Sequence, residues 1–196
     1  MIYELRPIRE FPAVFLKLAA EIGTLRRDLS RGRATTDHYC DPGDEDKIEW
    51  IGALGDLVSR YHLCERKIEY TAAKLFHIGK NEVPWDIKVG RYTYDVKGVQ
   101  LNYRFLTVNK DVHKNQKADR YWWIKLTGET SARQFIASKE EVDSWPIRDL
   151  RPDTKSGCHC LEVPVAKIHA PLQPNQSRSA VPSPIPRTPP SSSLDW

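Results

Sequence analysis

Trp85-Asp86-Ile87-Lys88-Val89-Gly90-Arg91-Tyr92-Thr93-Tyr94-Asp95-Val96-Lys97-Gly98 is the stretch on which the fold turns. Gly90-Arg91 has the composition of a two-residue turn. Glycine in the first central position suits the mirror-type turns whose twist matches that of paired strands. The register follows: Val89 faces Tyr92, Lys88 faces Thr93, Ile87 faces Tyr94 and Asp86 faces Asp95. Side chains alternate along a strand. Ile87, Val89, Tyr92, Tyr94 and Val96 therefore share an apolar face, and Asp86, Lys88, Thr93, Asp95 and Lys97 share a polar one.

That register sets two carboxylates opposite each other. Directly opposed side chains have Cβ atoms about 4.5–5.5 Å apart, and like charges there repel. A divalent cation between Asp86 and Asp95 turns the repulsion into ligation. A few hard oxygen ligands, with room left for water and phosphate, suit Mg²⁺, with Mn²⁺ as the substitute. Lys97 points to the same face, where it would orient or deprotonate a water or balance charge on a phosphate. The plainer alternative is a solvent-facing polar strand with incidental charges.

Outward from the hairpin, helices precede it and mixed elements follow. Phe11, Val14, Phe15, Leu18, Ile22, Leu25 and Leu29 recur at three- and four-residue steps and predict a helix with Pro12 in its first turn. Arg26, Arg27, Arg31 and Arg33 crowd its C-terminal end, as helix-dipole partners or as phosphate contacts. A second helix is predicted over 46–63, with Ile48, Ile51, Leu54, Leu57, Val58 and Tyr61 as its apolar stripe. Glu49 and Asp56 project from nearly one side of it. Gly52 and Gly55 weaken it by about 1 kcal/mol each, which points to a close approach. A third helix is predicted over 65–76. Strands are predicted over 121–126, 133–137 and 158–163, and Ser138 and Glu141 form a capping box for a short helix. The pattern is that of an α/β or α+β layered domain.

Composition excludes other classes. The chain has 196 residues, 40% hydrophobic and 29% charged, with net charge +4. That is an ordinary globular composition, not a disordered one. No apolar run nears the ~20 residues of a membrane span. The N-terminus has no apolar segment of a secretory signal. Four cysteines at irregular spacing do not make a disulfide scaffold, so a reduced, cytoplasmic protein is expected. Pro171 to Trp196 holds seven prolines and six serines, so it reads as a disordered tail. The chain divides into a basic helical extension (1–36), a central domain (37–170) and the tail (171–196). The tail's Leu194-Asp195-Trp196 tip suits either solvent or a protein partner.

Asp86 followed by Asp95-Val96-Lys97 resembles the PD-(D/E)XK nuclease superfamily, whose signature is an acidic residue on one strand and Asp/Glu-x-Lys on the next. Gly52-Ala53-Leu54-Gly55-Asp56 looks like the Gly-x-x-Gly-Glu helix of some small members, which nominates Asp56 as a further metal ligand, with Glu49 or Glu69 as substitutes. Gln100 matches a polar position that often follows the motif. Pro84 lies one residue early for the literal Pro-Asp pair, and Asp stands for the commoner Glu at 95 and 56. The resemblance implies a restriction-endonuclease-like mixed sheet flanked by helices. It implies Mg²⁺-dependent hydrolysis of phosphodiester bonds in DNA, with the Val96 carbonyl as an extra ligand. The alternative is a non-catalytic DNA-binding or adaptor protein on a degenerate nuclease fold.

The charge distribution fits a polyanion. From Lys88 to Lys125 there are nine Lys/Arg and three Asp, a local net of +6. Arg91, Arg104, Lys110, His113, Lys114 and Lys117 are the candidate nucleic-acid contacts. A solvated surface loop is the plainer reading of the same run. A second copy of the chain is a further candidate partner. Cys158-His159-Cys160, with Cys40, Cys64 and His38 or His62, has a spacing unlike that of structural zinc sites. Of Trp122 and Trp123, one faces each side of its strand, and at least one belongs to the core.

Overall fold

A computed structural model describes residues 2–30, 45–75, 83–148 and 157–163. The hairpin is β3 (Ile87–Val89) and β4 (Tyr92–Val99), joined through Gly90 at φ 56°. Its register pairs Ile87 with Tyr94, Lys88 with Thr93 and Val89 with Tyr92, as the turn assignment predicts. The hairpin belongs to a six-stranded mixed sheet. Its other strands are β1 (Tyr3–Ile8), β2 (Thr71–Ala72), β6 (Arg120–Leu126) and β7 (Ala132–Ser138). The order is β1-β7-β6-β4-β3-β2, antiparallel except for the central β4–β6 pair.

The two faces are covered differently. Helices α1 (Val14–Ser30) and α2 (Glu45–Glu65) lie on one. There Ile22, Leu54 and Val58 pack on Ile87, Tyr94, Val96, Trp122 and Ile124. A second, three-stranded sheet covers the other face, in the order β5-β9-β8. It comprises β5 (Phe105–Asn109), β8 (Ile147–Arg148) and β9 (Cys158–Glu162). Short helices α3 (Lys110–Asn115) and α4 (Lys139–Asp143) accompany it. Leu106, Val108, Val142 and Trp145 meet Tyr121, Trp123 and Phe135 there. Trp122 and Trp123 are thus both core residues, one on each side of β6. The molecule is mixed α/β, but one flanking layer is largely a sheet.

Several expectations change. The expected third helix over 65–76 is absent. Lys67 has φ 54°, and Thr71 and Ala72 pair with Lys88 and Ile87 as β2. Ile68, Ala72 and Leu75 kept a helical spacing, but hydrogen bonds to the uncovered edge of β3 prevailed. The described part of segment 1–36 is no appendage. β1 pairs with β7, and α1 packs on α2. The stripe on α1 is also rotated. Phe11, Ala19 and Ile22 are buried, whereas Val14, Leu18, Leu25 and Leu29 are exposed. Gly23 explains the rotation: a Cβ there would meet Trp50 N of α2 at 2.8 Å, so the glycine faces the partner helix. The basic run is not a loop, because β5 and α3 are built from it. Ser138 caps α4 as expected, its hydroxyl accepting from the Glu141 amide. Arg31, Arg33, His38, Cys40 and the Pro171–Trp196 tail lie outside the described residues.

Candidate metal centre

β3 ends early, and that creates the site. Its ladder with β4 stops at Ile87–Tyr94, so the outer edge of β4 from Asp95 onward has no strand partner among the described residues. Asp86 sits where the ladder would continue. Its amide donates to Tyr94 O at 2.9 Å, and its carboxylate Oδ2 accepts from Val96 N at 2.7 Å. The side chain thus replaces a backbone carbonyl on the strand edge. Asp86 is therefore not the flat cross-strand partner of Asp95 that strict alternation predicts; it curls under the edge beside it.

Asp95 is buried on β4. Its Oδ1 lies 2.8 Å from Lys97 Nζ, and its Oδ2 accepts from Gln116 Nε2. Asp56 comes from α2, which can lie this close because two glycines meet. A Cβ at Gly55 would stand 2.9 Å from Gly98 N, and one at Gly98 would stand 1.8 Å from Ile51 O. The close approach read from Gly52 and Gly55 is present at Gly55. At Gly52 there is room, with Arg26 Nη1 3.7 Å away. Asp56 Oδ2 accepts from Arg26 Nη2, while its buried Oδ1 has no hydrogen-bond partner. Arg26 Nε also donates to Leu75 O at 2.6 Å. Arg26 is committed to Asp56, so neither role proposed for it from the sequence describes it.

The electrostatics follow from crowding. Burial, then the neighbouring charges of Asp56 and Asp95, push Asp86 up to about 7, against a weaker pull from the Val96 amide and Lys97. Burial also raises Asp56, despite Arg26. For Lys97, burial alone would lower the value. Asp95, backed by Asp86 and Asp56, outweighs that and holds it above the ordinary lysine value. With the carboxylates uncompensated, Lys97 is thus held as a cation. In that state it can orient a water or balance charge.

Asp86, Asp95 and Lys97, with Trp85, line one side of a cavity of about 430 Å³ whose other side is Asp111, Val112, Asn115 and Gln116 of the α3 segment; Asp56 is buried behind it and does not line it. Such a volume is ordinary for a ligand site. Gln116 is the residue that sequence reasoning missed as a site member. It stood in a polar run, and only the α3 crossover brings it to Asp95. Glu49 is two turns before Asp56 on α2, and its backbone lies against Gly23 of α1 instead. Exposed Glu69 follows the end of α2. Gln100 is exposed beyond β4, outside the cavity, because the strand carries it roughly 10 Å past Lys97 on the opposite face.

Of the proposed nucleic-acid contacts, Arg104, Lys110, Lys114 and Lys117 are exposed. Lys110 and Lys114 lie on α3, and Lys117 follows it. Arg91 is exposed at the hairpin turn, where it bonds to the Tyr92 hydroxyl at 2.6 Å. His113 is buried and bonded within the protein, so it is not a surface contact. Lys125, counted in the basic run, is also buried and donates to the Tyr103 carbonyl. Cys64 is exposed, and Cys158 and Cys160 are buried; none of the three is in a disulfide.

No helix among the described residues is long and apolar enough to cross a membrane. No family model, curated protein or solved structure matches the chain.

Proposed function

We propose that the protein is a Mg²⁺-dependent nuclease that hydrolyses phosphodiester bonds in DNA on a restriction-endonuclease-like frame. One observation carries the reading: Asp86 and Asp95 lie at one uncovered strand edge, with Asp56 of α2 close enough to interact with both and with Lys97, paired to Asp95, beside them. Buried like charges of this kind are costly unless a cation or proton compensates them. The cluster has that need, since Asp86 is pushed up to about 7 and Asp56 Oδ1 is buried without a partner. The donor set is all oxygen, which fits Mg²⁺ or Mn²⁺. Asp86 and Asp95 would hold the ion, with Asp56 and the Val96 carbonyl completing the protein ligands. Bound there, such an ion supplies an activated water and compensation for charge on the phosphoryl oxygens.

The chain's own groups divide the remaining work. Lys97, kept protonated by Asp95, faces the cavity as a cation for a non-bridging phosphate oxygen. Gln116 fixes the Asp95 carboxylate from the other side. Lys110 and Lys114 on α3, and Lys117 just after it, are exposed next in sequence to the residues that line the cavity, where they would follow a phosphate backbone. Trp85 offers a ring on which a base can stack.

A second reading has its own support. Arg26 already neutralises Asp56, and both Asp95 oxygens have protein partners, as a lapsed site retained for DNA binding alone would show. Mn²⁺ binding, followed by water-proton relaxation, separates the two. The nuclease reading expects saturable binding that Asp86→Asn weakens at least about tenfold. No saturable binding, with salt-sensitive DNA binding intact, establishes the lapsed site instead.

A further inference from the structure

On the far side of α3 from the carboxylates, three groups from three elements converge. His113 is on α3, Asp143 ends α4, and His159 lies on β9 between the two buried thiols. One donor atom from each lies within 4.8 Å of the others. We propose that His113, Asp143 and His159 form a second metal site, selective for Zn²⁺ and similar borderline cations, through one ring nitrogen of each histidine and a carboxylate oxygen of the aspartate. The site is separate from the carboxylate centre and does not depend on the nuclease reading.

The arrangement has the parts that such a site needs. Two imidazoles and a carboxylate are the ligands zinc prefers over magnesium, and three protein ligands leave a fourth position open. His113 Nε2 and Asp143 Oδ1 are 2.8 Å apart. Neighbouring ligands on a tetrahedral ion with ~2.0 Å bonds are about 3.3 Å apart, so this pair needs little movement. The most distant atoms of the set must each move inward by less than about 1 Å.

His113 is also held from behind. His113 Nδ1 meets the Tyr121 hydroxyl at 2.7 Å. In the metal-free protein Nε2–H donates to the Asp143 carboxylate; an ion would take that proton's place, and Nδ1–H would then donate to the Tyr121 oxygen, the orienting contact metal-bound histidines commonly have. His159 is buried, and its Nδ1 has no hydrogen-bond partner. The two rings stand 4.8 Å apart, tilted by 59° rather than stacked. A buried pair of imidazoles with one orphaned nitrogen and a carboxylate at its mouth is a ready ligand set.

The ion would tie α3 to α4 and β9. α3 leads directly to Gln116, whose side chain holds Asp95, so the clamp would brace one wall of the cavity from outside. The cysteines play no part, since the Cys160 thiol is turned to the Cys158 carbonyl at 3.3 Å.

Untagged full-length protein, stripped with chelator and dialysed against buffered Zn²⁺, tests this by metal analysis. The parent chain is expected to hold about one equivalent, and its Co²⁺ form to show the visible bands of a tetrahedral site. Asp143 is largely exposed, so Asp143→Ala should fold normally, which circular dichroism checks, yet weaken Zn²⁺ binding more than about tenfold. His159→Gln should do the same. Asp86→Asn and Cys160→Ser should keep the zinc, whatever becomes of DNA cleavage. A parent chain that retains no zinc overturns the proposal. So does an Asp143→Ala and His159→Gln pair that binds as the parent does, or loss confined to Cys160→Ser.

Discussion

Asp86 is where burial, charge and chemistry meet in one side chain. Its carboxyl is pushed up to about 7 in the fold, against an ordinary unfolded value of 3.8. Between these pH values the folded state binds more protons than the unfolded one, so stability from this group falls as pH rises from about 4 through 7. Asp86→Asn removes the term. The melting temperature of the metal-free variant, minus that of the parent, should therefore increase as pH is raised across this window. A difference that stays flat would show that Asp86 is not the strained group. The same proton competes with a cation, so Mn²⁺ affinity should increase through pH 7. Lys97→Met tests the neighbouring role. A charge-balancing lysine predicts a fall in kcat of about 100- to 1000-fold with Mn²⁺ affinity not reduced, measured under saturating DNA.

At the scale of elements, the contact between α2 and β4 decides whether Asp56 reaches the site. Gly98 lies against the Ile51 carbonyl, and Gly55 lies against Gly98. Gly98→Ala and Gly55→Ala should each destabilise by about 1–3 kcal/mol or more in urea unfolding, because backbone must move. Gly52→Ala should instead stabilise by about 0.5–1 kcal/mol, since the helix gains propensity and the space is open. Equal effects at all three positions would refute this helix–strand geometry.

The hairpin was legible in the sequence because its turn and its alternation are local. The same holds for the capped helix α4 and the aromatic strand β6. β2 was not legible. Two residues within a stretch of helical spacing became a strand only because β3 had an edge to fill. The buried face of α1 was misjudged for a related reason: Gly23, not the bulk of Val14 or Leu18, sets which side meets α2. The site divides in the same way. Asp86, Asp95 and Lys97 are near neighbours across one turn. Gln116, Arg26 and the His113 cluster depend on crossovers that no short pattern records.

For the whole molecule, the weak overall charge conceals a basic wall. Replacing Lys110, Lys114 and Lys117 by glutamine should reduce the slope of log K against log salt for duplex DNA by about 2 to 3 units, if all three contact phosphate. An unchanged slope would remove α3 from the interface. Deleting Pro171–Trp196 should leave basal cleavage intact, because among the described residues no group of the cleavage site lies beyond Lys117.

The central claim concerns hydrolysis at the Asp86–Asp95 edge, and DNA cleavage measures it directly. Supercoiled plasmid and single-stranded DNA are incubated with parent protein or Asp95→Ala, with Mg²⁺ or Mn²⁺, and with EDTA as control. Catalysis at this edge predicts cleavage by the parent, none with EDTA and only background from Asp95→Ala. Equal cleavage by parent and variant, or no cleavage by the parent with either ion, would contradict it.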